Sequence, residues 1–95
     1  MEELTLATFA PTVGDAYEID GGEAGKLELE LVDASEAADA NAPRPPFVLT
    51  FRGPAEPVLA QQIVPLEHQA LGVLEIFLVP IGRDEDGTTY EAVFS

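Results

Sequence analysis

Residues 71–94 read LGVLEIFLVPIGRDEDGTTYEAVF: an apolar strand, an acidic turn, and an aromatic-rich strand that returns along the first. Val73, Leu74, Ile76, Phe77, Leu78, Val79 and Ile81 put apolar side chains on both faces of the first strand, with Glu75 the only charge among them. Successive side chains of a strand point to opposite sides, so one face lines a core and the other needs a cover of its own. The turn from Gly82 to Thr88, where Asp86-Gly87 favours a tight bend, returns the chain so that Leu78 faces Ala92 and Phe77 faces Val93.

Upstream, Gln62–His68 reads as a strand with Val64, Leu66 and His68 on one face. Pairing His68 with Gly72 sets Leu66 opposite Leu74 and Val64 opposite Ile76, and closes a loop of Gln69-Ala70-Leu71. Gly72 then sits where a left-handed backbone is useful. Pro65 cannot donate to a neighbour, which suits an edge position or an outward-pointing amide.

Phe47–Arg52 alternates, with Phe47, Leu49 and Phe51 inward and Val48, Thr50 and Arg52 outward. Lys26–Val32 alternates too, Leu27, Leu29 and Leu31 against Glu28 and Glu30, and Ala16–Ile19 is a short strand joined to it by a turn-rich hairpin. Thr5 caps a short helix whose Leu6, Phe9 and Val13 share a face; Pro11 keeps it short and Gly14 stops it. Residues 33–46, rich in alanine, acid and proline, read as a long mobile loop. The expected fold is one all-β domain over 1–95, a small antiparallel β barrel or two-layer sandwich of about six strands with one short N-terminal helix. That helix plugs one end or covers the second apolar face.

Ninety-five residues support one core, and 46% apolar content fills it. With no cysteine, packing alone stabilises the fold. Eighteen acidic against four basic side chains give a net charge of −14, which repels phosphate backbones and anionic lipid. Nucleic acid and membrane are therefore not the expected partners. The acidic start Met1-Glu2-Glu3 lacks the features of a secretory signal, so synthesis in the cytoplasm is expected, with signal-independent export left open.

Few residues suggest chemistry. His68 is the sole histidine; Glu67 beside it points to the opposite strand face, so a strand-end histidine bonded to a turn carbonyl is the expectation. Asp84, Glu85 and Asp86 put three carboxylates in a turn before Gly87, and Asp84 and Asp86 are the metal candidates, but Glu91 downstream lies in a strand and does not complete a calcium loop. Neither a phosphate-cradling glycine loop nor a nucleophile elbow is present, so no cofactor and no enzymatic activity are expected. Arg52 and Arg83 follow apolar strands at turns and are expected to pin them through Glu91, Asp84 or loop carbonyls.

The order Leu6, Phe9, Gly14; Pro45-Pro46-Phe47; Phe51-Arg52-Gly53-Pro54; Leu66-Glu67-His68; Leu71-Gly72; Phe77-Leu78-Val79-Pro80; Gly82-Arg83-Asp84; Tyr90-Glu91-Ala92-Val93-Phe94 resembles an uncharacterised bacterial family of small domains of unknown function. Its genes often sit beside those of phage-tail-collar-like proteins, and the resemblance implies an accessory role in a tail-like or surface-fibre assembly. It implies no active-site residues. The functional expectation is thus a noncatalytic structural or protein–protein interaction module, bound to a protein partner or to itself through Val48, Phe77, Val79 and Val93. Alternatives are a small-ligand or calcium-binding domain, and an acidic inhibitor that mimics nucleic acid.

Overall fold

In the computed structural model the alternating segments become six antiparallel strands: β1 (Ala16–Asp20), β2 (Lys26–Glu36), β3 (Phe47–Gly53), β4 (Gln62–His68), β5 (Gly72–Asp84) and β6 (Gly87–Phe94). The structure describes residues 5–20, 25–36, 46–56 and 58–94. The strands close into a barrel in the order β1-β2-β3-β6-β5-β4. Closure leaves no free sheet edge to manage. The protein is therefore an all-β antiparallel barrel with one short N-terminal helix.

The barrel is filled by the inward half of each alternation: Tyr17 and Ile19; Leu27, Leu29 and Leu31; Phe47, Leu49 and Phe51; Val64 and Leu66; Ile76 and Leu78; Tyr90 and Ala92. Each fully buried Leu, Ile or Phe contributes about 1.5–3 kcal/mol of transfer free energy. The β4–β5 hairpin has the register read from sequence, His68 with Gly72, Leu66 with Leu74 and Val64 with Ile76. Gly72 has φ +77, a conformation that a Cβ would strain.

Helix α1 (Leu6–Phe9) runs into a 3-10 turn at Ala10–Thr12. The backbone N–H of Thr5 donates to Thr8 Oγ1 at 3.2 Å, giving the helix start an acceptor. Pro11 falls within the 3-10 turn, which changes the angular step, so Val13 leaves the face of Leu6 and Phe9 and points to solvent. Phe9 packs on Phe47 and Phe94, with centroids 5.9 and 5.6 Å away, and those two rings stack at 4.6 Å. The helix therefore plugs one end of the barrel. Thr12 Oγ1 donates to the Phe9 carbonyl, so the Tyr17 hydroxyl, 2.7 Å away, must donate to Thr12. Burial pushes that tyrosine above its ordinary pKa.

The opposite end is crossed by the β3–β4 connection. Leu59 N–H donates to the Tyr90 hydroxyl at 2.9 Å, and Thr88 Oγ1 reaches the Ala55 carbonyl at 3.4 Å. Three expectations need correction. Asp33–Glu36 belongs to β2, paired with Phe47–Thr50, because a bulge at Val32 lets the ladder continue past the end of the clean alternation. The rest of the expected mobile loop, 37–45, lies outside the described residues. The last hairpin is tighter than 82–88: Asp84 pairs with Gly87, and only Glu85 and Asp86 turn. Gly87 has no positive φ; a Cβ there would run into the Gly53 carbonyl oxygen and the Arg52 guanidinium, so close approach selects glycine.

Candidate interaction face

Outward side chains of β4, β5, β6 and β3 form a band across the strands. Ile63 stands opposite Phe77, and Val93 opposite Val48. Val79 is registered with Glu91, and the same count places Phe77 opposite Val93 one step beyond the last registered pair. Ile63, Phe77 and Val93 are 65%, 43% and 58% exposed, so nothing among the described residues covers them. Val48 and Val79 are half-buried at the margin of the band. A second bulge, between Pro80 and Gly82, turns Ile81 out to solvent.

Sequence reasoning names Val48, Phe77, Val79 and Val93 but omits Ile63. The signal was present: pairing His68 with Gly72 already sets Ile63 opposite Phe77, and its parity with Val64 puts it outside. Val73, 61% exposed next to Glu75, was legible in the same way.

His68 is buried at the helical end of the barrel. Its Nδ1 accepts the backbone N–H groups of Ala70 and Leu71 at 3.0 and 3.2 Å, which leaves the ring proton on Nε2, 2.9 Å from Asp15 Oδ2. The imidazole thus caps its turn by accepting amides, where a bond to a turn carbonyl was expected. With both ring nitrogens committed, neither has a lone pair free to abstract a proton. Glu67 is exposed on the opposite face, registered with Glu18 of β1.

At the other end, Asp84 Oδ1 accepts from the Asp86 and Gly87 amides at 2.9 and 3.1 Å and from Arg52 Nη2 at 2.5 Å. The Asp86 amide and then the guanidinium hold this carboxyl below the usual carboxylate range. That oxygen is committed to the turn and to a cation, an arrangement that disfavours a bound metal. Among the described residues no three carboxylate or imidazole groups converge as a metal-binding cluster. Arg52 also donates to Thr89 Oγ1 at 2.7 Å, and Arg83 pairs with Glu56 at 2.7 Å across the β3–β4 connection. Glu91 takes neither arginine, because it lies on the outer wall opposite Thr50 and Val79.

A family model described as Domain of unknown function (DUF6916) matches residues 4–94. The chain belongs to that family. Comparison with curated proteins and with solved structures gives no match. The match covers the whole DUF6916 barrel, both bulges and every strand of the apolar band included.

Proposed function

We propose that this DUF6916 domain is a noncatalytic protein–protein interaction module that works through the outer apolar band. The observation that carries the reading is the position of α1: it plugs the barrel end through Phe9 and leaves Ile63, Phe77 and Val93 in solvent. A band of large apolar side chains on a small acidic barrel marks an interaction site more readily than a stability device. The commitment of His68 and Asp84 to their own turns supports the noncatalytic part. The finer reading, an accessory component of a bacterial tail-like or surface-fibre assembly, rests on the resemblance alone.

The test is photo-crosslinking in the native host with benzoylphenylalanine at position 77 and, as a control, at position 28. Crosslinks to a protein from position 77 and not from position 28 are expected, and a fibre or tail component among them would support the finer reading. No crosslink at position 77, or equal yields from both, would sink the proposal. A second reading, an acidic mimic of nucleic acid, draws on the outward row Glu28, Glu18 and Glu67. Failure to displace DNA from a basic DNA-binding protein would remove it.

A further inference from the structure

The apolar band has an acidic frame. One step toward the Asp84 turn, the outward row across β2, β3, β6 and β5 is Asp33, Thr50, Glu91 and Val79. On the other side, Glu75 stands opposite Pro65. The described cations lie elsewhere: Arg52 and Arg83 are paired with Asp84 and Glu56 near the turn, and Lys26 is on β2 opposite Asp20 of β1. Among the described residues the frame therefore holds Asp33, Glu75 and Glu91 and no positive charge.

From this we infer that the band takes a protein surface with an apolar centre and a rim of lysine or arginine, and does not take a second copy of this chain. The inference rests on the interaction reading above and names the partner's chemistry. Two-fold pairing of the band would bring the carboxylates of one copy against those of the other, between chains that each carry −14. Screening at physiological salt acts over about 8 Å and does not cancel repulsion between groups in contact. A basic rim converts the same three carboxylates into attraction and steers encounter, while the apolar centre loses its exposure to water.

Two measurements decide it. Sedimentation equilibrium of the chain alone, from low to about 1 M salt, should show a monomer at low and physiological ionic strength. Backbone amide shifts should be followed during titration with two hairpin peptides that share one Val/Phe face and differ only in their rims, lysine in one and glutamate in the other. The lysine peptide is expected to shift Ile63, Phe77, Val93 and Val48, to bind about tenfold or more tighter than the glutamate peptide, and to weaken with added salt. Phe77→Ser should abolish those shifts while leaving the melting curve in place, since the side chain is on the outer wall.

A stable dimer at low salt would overturn the exclusion of a second copy and leave the interaction reading intact. Equal affinity for the two peptides would remove the charge argument alone. Shifts confined to Glu18, Glu28 and Glu67, or no shift along the band, would overturn both readings together.

Discussion

Across β2, β1 and β4 the outward positions Glu28, Glu18 and Glu67 stand side by side, whereas across β4, β5, β6 and β3 they are Ile63, Phe77, Val93 and Val48. Both bands sit on the same barrel wall and obey the same alternation, and behind both lie Leu, Ile, Val and Phe. The inside is dictated by packing, and the outside is not. Like charges directly opposite each other are unfavourable, and large apolar side chains in water gain nothing from folding. The barrel would fold with neither band, so each points to something other than the fold.

The sharpest way to break this comparison is to cut on both sides of one strand. Leu78→Ala should cost about 2–5 kcal/mol, because Leu78 is fully buried and its removal leaves a cavity. Phe77→Ser, one residue away and facing outward, should cost under about 1 kcal/mol. Urea unfolding of the two variants checks this. Comparable losses would mean that the apolar band is structural after all.

The acidic band spans the weakest seam of the barrel, since β1 and β4 share a single registered pair, Glu18 with Glu67. The bond from His68 to Asp15 is a second tie across it. His68→Ala should therefore cost about 2–4 kcal/mol, through the vacated volume and the loss of the acceptor for two loop amides. A variant as stable as the parent would show that the seam is held by backbone alone.

How much of the two bands was legible beforehand follows from how each residue is specified. Period-2 alternation and the turn at Gly72 fix the β4–β5 register, because a slip of one residue would turn every apolar side chain over. Outward Phe77 and Val93 follow from that rule, and Ile63 was available from it. The bulges were not: Val32 and Ile81 look like ordinary apolar strand residues, and the extra residue appears only when the partner strand is counted against them. The row Glu28, Glu18 and Glu67 was hidden for a related reason. It joins strands that are distant in sequence, and β1 against β4 is a closure contact that no hairpin turn encodes. His68 was placed correctly on the inner face, but its partner Asp15 lies 53 residues away.

A smaller effect separates repulsion from burial. Glu67→Gln removes one of two carboxylates placed directly opposite, and should raise stability by about 0.2–1 kcal/mol at low ionic strength. The gain should shrink as salt is added, while the thermal midpoint of the parent chain rises through screening. A parent midpoint insensitive to salt would indicate that the acidic band costs nothing.

The smallest effect concerns a carboxylate of the opposite kind. Glu18 and Glu67 face each other, whereas Asp84 faces two amides and a guanidinium, so its carboxyl is held below its reference value of 3.8. A lowered folded-state value means that the unfolded chain binds the proton more tightly, and stability then rises with pH across the interval between the two values. The contribution of Asp84 is present above about pH 4 and is lost as pH falls through its lowered value. Thermal melts of the parent and of Asp84→Asn between about pH 2 and 6 should run nearly parallel at the upper end and converge at the lower, the parent falling more steeply. Arg52→Ala should remove part of the same slope, since the guanidinium is the second cause of the shift after the Asp86 amide. Identical acid limbs for the parent and Asp84→Asn would show that the turn gains nothing from this charge, and the contrast between the paired and the opposed carboxylates would lose its energetic meaning.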